Sequence, residues 1–128
     1  MSSLYRAKIS ENDEQAVLFE WAELHSRVYP CLLLMYHVPN EGKRSPREGA
    51  CLAKMGLKRG VPDICLPVAR GGYHGLYIEL KVGKNKPTPD QEAYLQALER
   101  EGYFVALCYG ALEAENIILR YIRGEVRR

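Results

Sequence analysis

The fold of this protein is decided by residues 62–82, which read PDICLPVARGGYHGLYIELKV. Two apolar runs, from Asp63 to Val68 and from Leu76 to Val82, lie on either side of a glycine pair. Strand-length apolar runs around such a turn predict a β-hairpin. Because alternate residues of a strand share a face, Glu79 and Lys81 are expected to project together.

Two acidic residues and a lysine are candidates for a metal site on this hairpin. Glu79 and Lys81 lie in an otherwise apolar strand, where charged side chains must be paired, solvated or functional. Asp63 begins the neighbouring strand, within reach of the same place. Two carboxylates beside a lysine can bind a hard divalent cation, which lowers the pKa of a bound water. The alternative is an ordinary Glu–Lys pair on a solvated sheet surface.

The positive charge of the chain is concentrated in its middle. The formal net charge is only +2, but residues 43–86 contain ten basic and three acidic residues, a local charge of +7. Asp63 and Glu79 are two of those three acids. A metal site among lysines suits a phosphate-bearing polyanion. The alternative is a solvated surface of loop lysines.

The sequence around the hairpin predicts an α/β domain with the order α-β-(α)-β-β-α-β-α and a mixed sheet flanked by helices. Ser10 is a capping residue for the first helix, and Thr88 with Gln91 forms a capping box for a later one that Gly102 ends. The apolar stripe of the first helix is predicted from helical spacing as Val17, Leu18, Trp21 and Leu24. The other predicted elements are helices over 11–27, 45–55 and 113–123 and strands over 32–38 and 103–109, the last as a covered central strand.

Length and composition narrow the class of protein further. The chain has 128 residues, which predicts a single domain over 1–128. No apolar run approaches the ~20 residues of a membrane span, and the N-terminus has no apolar signal core. The four cysteines are widely separated, which argues against zinc and favours the cytoplasm.

The hairpin residues resemble a nuclease signature. Pro62-Asp63 with Glu79-Leu80-Lys81 resembles the PD-(D/E)xK motif. The wider chain, from about residue 11 to 121, resembles its VRR-NUC (virus-type replication-repair nuclease) branch. That resemblance rests also on the Glu14-Gln15 helix, on His37-Val38-Pro39-Asn40-Glu41-Gly42, on residues 55–63 and on Gln91. It implies a restriction-endonuclease-like core and a stand-alone nuclease domain with nothing appended, acting in a bacterial or phage-infected cell.

The resemblance also implies roles for individual residues. Asp63 and Glu79 would bind Mg²⁺ or Mn²⁺ together with the backbone carbonyl of Leu80. Lys81 would position the attacking water.

Two further residues match positions that approach the metal in this family. One is Glu14, a possible metal ligand, whose alternative role is to favour the positive N-terminus of its helix. The other is Gln91, whose alternative role is the capping box of Thr88, although it could serve both purposes.

Polar and basic residues near the motif are candidates for DNA contacts. Asn40 is one of them, and its alternative is an ordinary turn residue. The full set is Asn40, Lys43, Arg44, Lys58, Arg59, Lys84 and Lys86.

The function predicted from these features is a divalent-metal-dependent, structure-selective DNA endonuclease. The resemblance implies a homodimer that acts on four-way junctions in the manner of a Holliday-junction resolvase. Phe19 and Trp21 are candidates for its interface, with the core as the alternative. The competing functions are flap or single-strand cleavage by the same site, and a non-catalytic DNA-binding module.

Overall fold

The computed structural model describes residues 10–39 and 45–128, which form one mixed four-stranded sheet flanked by four α-helices. The candidate DNA contacts Asn40, Lys43 and Arg44 lie outside these residues. The elements are α1 (Glu11–His25), a 3₁₀ helix (Pro30–Leu34), β1 (Tyr36–His37), α2 (Pro46–Lys54), β2 (Ile64–Leu66), β3 (Leu76–Lys81), α3 (Pro89–Arg100), β4 (Phe104–Tyr109) and α4 (Ala111–Ile122).

The predicted hairpin is confirmed as the centre of the sheet. The strand order is β1-β2-β3-β4, and β2 pairs with β3 in antiparallel orientation with Cys65 opposite Tyr77. The strands β3 and β4 are parallel, with Lys81 opposite Tyr109. Parallel neighbours need a long crossover, and α3 supplies it. This order places the two predicted carboxylate positions on adjacent strands.

Both predicted helix starts are confirmed by their capping boxes. Ser10 Oγ accepts from the backbone N–H of Asp13, and the Asp13 carboxylate accepts in return from Ser10 N–H, each at 3.1 Å. These hydrogen bonds hold the pKa of Asp13 below its ordinary value. Thr88 and Gln91 form the second box at the start of α3. A capping box involves residues only three apart, so it can be predicted from the sequence without knowledge of the tertiary structure.

The predicted strand over 32–38 is confirmed only at Tyr36–His37, and its first part is wrong. A 3₁₀ helix covers Pro30–Leu34, and β1 has only two residues. Leu32 and Met35 are both buried, while Leu33 and Leu34 are 62% and 55% exposed. Burial of residues three apart is the period of a 3₁₀ helix, in which every third side chain shares a face. Pro30 at the first position also favours a helical start over a strand.

The predicted strand over 103–109 is confirmed as β4, but its predicted central position is wrong. Within residues 10–39 and 45–128, β4 pairs with β3 alone and lies at the edge of the sheet. Its apolar run packs one face against the core, where Cys108 is buried, while Leu107 on the other face is 38% exposed. Partial cover on both faces explains the unbroken apolar sequence without a central position.

The buried side of α1 differs from the predicted stripe. Leu18 and Ala22 are buried, whereas Val17 and Leu24 are 48% and 67% exposed. Successive side chains of a helix point about 100° apart around its axis. Val17 and Leu24 therefore point away from the side of the helix that faces the core. Phe19 and Trp21 are partly buried against the core, which favours the core alternative over an interface.

Candidate active site

Asp63 lies immediately before β2 and joins the two strands of the hairpin. Its Oδ2 accepts a hydrogen bond of 2.8 Å from the backbone N–H of Leu80. Its backbone carbonyl accepts from Val38 N–H at 2.7 Å, which ties it to β1 as well. The carboxylate is therefore fixed beside the strand that carries Glu79 and Lys81.

Glu79 and Lys81 form an ion pair in the interior. Lys81 Nζ lies 3.7 Å from Glu79 Oε2, and the side chains are 10% and 1% exposed. Among the described residues, neither carboxylate oxygen of Glu79 has a hydrogen-bond partner. Burial, followed by the neighbouring Asp63 carboxylate, raises the pKa of Glu79 to about 9, although Lys81 acts in the opposite direction. A buried acid of this kind is a common mark of a functional site.

A pocket opens onto Asp63 and Glu79 between the N-terminal turns of α1 and α3, and Lys81 adjoins it through its contact with Glu79 without lining it. The two helices supply one wall each, and the hairpin supplies the floor. The lining residues are Glu11, Asn12, Gln15, Asp63, Glu79, Leu80 and Gln91. The charge of Glu11 is one of the smaller causes that raise the pKa of Glu79. The pocket is therefore rich in oxygen atoms and acidic in character, and its floor belongs to the segment 43–86 of positive net charge.

Gln91 serves the capping box and lines the pocket. Its Oε1 accepts from Thr88 N–H at 2.8 Å, and its own N–H donates to Thr88 Oγ1 at 3.2 Å. The capping bond uses the amide oxygen, which leaves the amide NH₂ group as a donor at the pocket. The two roles proposed from the sequence are compatible in one side chain.

Glu14 lies elsewhere. Its Oε1 accepts from the backbone N–H of Ala111 at 3.1 Å, at the start of α4. Gly110, the N-cap of that helix, has no side chain to cap it. The Glu14 carboxylate therefore caps and favours the N-terminus of α4, and it is not among the residues that line the pocket.

The structure places Glu11, Asn12 and Gln15 at the pocket instead, and sequence reasoning did not identify them. From the sequence alone, Glu11 is an acid in the first turn of α1, where it favours the positive end of its own helix. The available signal was the spacing of Glu11 and Gln15, because residues four apart share a helix face. Which face of α1 meets the hairpin depends on the burial of Leu18 and Ala22, and no local pattern determines that.

The basic candidates that the structure describes lie on the two loops next to the site. Lys58 and Arg59 precede Asp63, and Lys84 and Lys86 follow Lys81. All four are exposed, and none of them lines the pocket. Their charges therefore lie outside the pocket, on the exposed surface next to it.

Gly60 brings the loop before Asp63 against the first turn of α3. Its φ is +82°, and an added Cβ would lie 2.5 Å from the carbonyl carbon and oxygen of Asp90 and 2.9 Å from Gln91 N. These are backbone atoms, which cannot move without displacing the helix. Gly60 therefore sets the distance between the wall that carries Gln91 and the loop that leads to Asp63.

We expect Gly60→Ala to lower the free energy of unfolding by roughly 1–3 kcal/mol. An alanine at this positive φ is strained, and its Cβ also collides with the backbone of α3. Urea denaturation measures this loss. Gly56→Ala is the matched control, since Gly56 has a φ of +100° but nothing within 4 Å of an added Cβ. Equal losses in the two variants would contradict the packing role of Gly60.

The oxygen atoms of the pocket fit a small hard cation. Within the described residues, no group of three or more His, Cys, Asp or Glu side chains is arranged to hold a metal ion. Mg²⁺ needs only one or two carboxylates, because it retains several waters. Asp63, the unpartnered oxygens of Glu79 and the backbone carbonyl of Leu80 are such a donor set.

A mixed sheet that carries two acids and a lysine on adjacent strands, with helices on its flanks, defines an α/β fold of the nuclease type. The model of the VRR-NUC domain family matches residues 9–112, and the chain belongs to that family. The chain is also similar to a solved structure described as a VRR_NUC domain protein, with 32% identity, a TM-score of 0.77 and coverage of 90% of this chain and 89% of the other. None of the curated proteins matches it. The family and fold class indicated by the sequence are thus confirmed.

In the part of the chain that the structure describes, no helix combines the length and apolar character needed to cross a membrane.

Proposed function

We propose that this domain is a divalent-metal-dependent DNA endonuclease that prefers branched DNA. The observation that carries the proposal is the buried Glu79 carboxylate, whose oxygens have no hydrogen-bond partner among the described residues and face a pocket shared with Asp63. Burial of a carboxylate whose oxygens lack hydrogen bonds is unfavourable even beside a lysine, so such a group is retained where a ligand satisfies those oxygens. The surrounding positive segment supplies the attraction for DNA.

Asp63, Glu79 and the Leu80 carbonyl are the proposed metal ligands. When bound, Mg²⁺ or Mn²⁺ supplies Lewis-acid chemistry, polarising a phosphate oxygen and lowering the pKa of a bound water. The Lys81 ammonium group, 3.7 Å from Glu79, orients the attacking water and stabilises the negative charge that develops on the phosphate. The amide NH₂ of Gln91 is a donor at the pocket itself. Glu11 is the acid that α1 contributes.

The proposed substrate is a four-way DNA junction, and the proposed active form is a homodimer. Both are supported by the resemblance to junction-resolving members of the family. A two-fold axis between the copies would present two sites to strands of matching symmetry. The basic loops before Asp63 and after Lys81 would bind the phosphates on either side of the cleaved bond.

Cleavage assays on a panel of labelled DNAs test this function. Four-way junctions, flaps, single strands and linear duplex are incubated with Mg²⁺, Mn²⁺ or EDTA. We expect symmetric nicks in two strands of the junction with either metal and none in EDTA. Equal cleavage of linear duplex would contradict the junction preference, and preferred cleavage of flaps or single strands would favour that alternative. Binding without cleavage under all conditions would favour a non-catalytic module. Sedimentation as a monomer at the assay concentration would contradict the dimer.

Metal binding has a readout that is independent of cleavage. At about 100 times its Kd, Mg²⁺ is expected to raise the Tm of the wild-type protein by roughly 5 °C or more. Asp63→Asn should lose this rise, although the asparagine oxygen can still accept the hydrogen bond from Leu80 N–H. Glu99→Gln is the matched control, because Glu99 is exposed on α3 and does not line the pocket. An equal rise in Asp63→Asn would show that the metal binds elsewhere.

A further inference from the structure

We infer that Tyr109 is a positioning residue that holds the turn carrying Lys84 and Lys86 beside the pocket as a preformed phosphate-binding element. The ligand of this element is a backbone phosphate of bound DNA other than the one that is cleaved. The inference rests on the proposed nuclease function and adds a residue that neither the motif nor the pocket includes.

The contact that carries the inference joins the end of β4 to the loop after β3. Tyr109 lies opposite Lys81 in the parallel pair. Its hydroxyl donates a hydrogen bond of 2.9 Å to the backbone carbonyl of Asn85. The N–H of Asn85 in turn donates to the carbonyl of Val82 at 3.2 Å and closes a turn in which Gly83 has a φ of +59°. Tyr109 therefore fixes the turn at the residue between the two lysines.

This loop connects two parts of the candidate site. It begins after Lys81 and ends at Thr88, the N-cap of the helix that carries Gln91. Among the described residues, Tyr109 is the only residue outside residues 83–87 whose side chain hydrogen-bonds to that stretch. The phenol group is therefore the side-chain contact that holds the two lysines in place, in addition to the hydrogen bond from Asn85 N–H to the Val82 carbonyl.

Tyr109 itself is held against the strand that carries Lys81. Its backbone N–H donates to the Glu113 carboxylate at 3.2 Å, and the next residue, Gly110, donates to the carbonyl of Lys81 at 2.9 Å. The phenol is thus anchored to the catalytic strand at the point where the loop leaves it. A shift of Lys81 would carry the turn with it.

The charge of the turn is available to a ligand. Lys84 and Lys86 are exposed, and the ion pair between Lys81 and Glu79 is the only one found within residues 10–39 and 45–128. Flexible lysines lose conformational freedom when they bind a phosphate, and a turn that is already fixed reduces that loss. Ordering of the turn by Tyr109 should therefore strengthen DNA binding without changing the cleavage step.

Tyr109→Phe removes the hydroxyl and keeps the ring. In EDTA, we expect the Kd of this variant for a labelled four-way junction to rise about threefold to tenfold, the range that corresponds to one lost hydrogen bond. The same substitution in a Lys84→Ala/Lys86→Ala background should have no effect on the Kd, because the turn then has no charge to position. At saturating DNA with Mg²⁺, the cleavage rate of Tyr109→Phe should equal that of the wild type.

Trypsin reports the order of the turn without DNA. The bond after Lys84 can be cut, whereas Pro87 protects the bond after Lys86. We expect Tyr109→Phe to be cut faster after Lys84. Tyr29→Phe is the matched control, because its hydroxyl also makes a hydrogen bond of 2.9 Å, with Arg123, but away from the lining of the pocket. The control should change neither the trypsin cleavage nor the Kd.

Three results for Tyr109→Phe, compared with the wild type, would overturn the inference. Trypsin could cut after Lys84 at an unchanged rate, or cut faster while the Kd for DNA is unchanged. The Kd could also increase equally in the Lys84→Ala/Lys86→Ala background. A wild-type protein that binds and cuts DNA while Tyr109→Phe behaves normally overturns this inference alone. A wild-type protein that neither binds nor cuts any DNA of the panel overturns the proposed function as well.

Discussion

Lys81→Ala is expected to abolish DNA cleavage, with a loss of about 10³-fold or more at saturating DNA and Mg²⁺, while the Kd for DNA changes by less than about threefold. Lys81 is 8% exposed, and its ammonium group lies 3.7 Å from Glu79. A cation held in so little water acts strongly on a reacting phosphate, because screening by solvent is weak there. No other described lysine shares this environment.

Lys84→Ala is the control for this prediction, since Lys84 is exposed three residues further along the chain. Its removal should weaken DNA binding and leave the rate at saturating DNA unchanged. Single-turnover cleavage separates the two effects, because it measures the chemical step apart from binding. A Lys81→Ala protein that retains a tenth of the wild-type rate would contradict the proposed role of this lysine.

Glu79→Gln is expected to have opposite effects on activity and stability. Cleavage should be lost because the substitution removes a proposed metal ligand. The Tm measured in EDTA near pH 8 should nevertheless rise by roughly 5 °C. The rise follows from burial, which raises the pKa of Glu79 to about 9. Glutamine has nearly the same shape and removes the carboxylic acid that has to stay buried in the folded chain.

The pH dependence gives the sign of this effect. The ordinary pKa of Glu79 is 4.5 and its folded value is about 9, so between these values the folded state binds the extra proton. The free energy of unfolding therefore falls as the pH rises from 4.5 to about 9. The contribution of Glu79 to stability is fully present only below pH 4.5. The Glu79→Gln protein has no ionisable group at this position and does not lose stability in this way. Its Tm should therefore exceed that of the wild type by an amount that grows from pH 5 towards pH 8.

Thermal unfolding of both proteins across this pH range measures the difference. Glu101→Gln is a suitable control, because Glu101 is exposed at the end of α3. If Glu79→Gln proves less stable at every pH, the attraction between Glu79 and Lys81 outweighs the effect of burial. That result would contradict the prediction.

Several features of the fold and site could be predicted from the sequence because their causes are local. Thr88 and Gln91 form a capping box across a separation of three residues. Glu79 and Lys81 share a face because they are two residues apart on one strand. The hairpin follows from two apolar runs and a glycine turn, and it brings Asp63 to Leu80. Each of these signals lies within a short segment.

Other features could not be predicted, since they depend on which surfaces meet. Local spacing cannot tell that Leu32 and Met35 are buried while Leu33 and Leu34 are exposed, because that depends on the core against which this segment packs. The apolar run of β4 is compatible with a central or an edge strand, and the topology places it at the edge.

The sequence by itself determined the family, the α/β class and the three residues Asp63, Glu79 and Lys81 as a group. The tertiary structure alone decided that Glu11 lines the pocket while Glu14 caps α4. The physical reason is the rotation of α1, which is set by the burial of Leu18 and Ala22 against distant parts of the chain. Hydrogen bonds and alternation act within a few residues, but the rotation of a helix is set by the whole core.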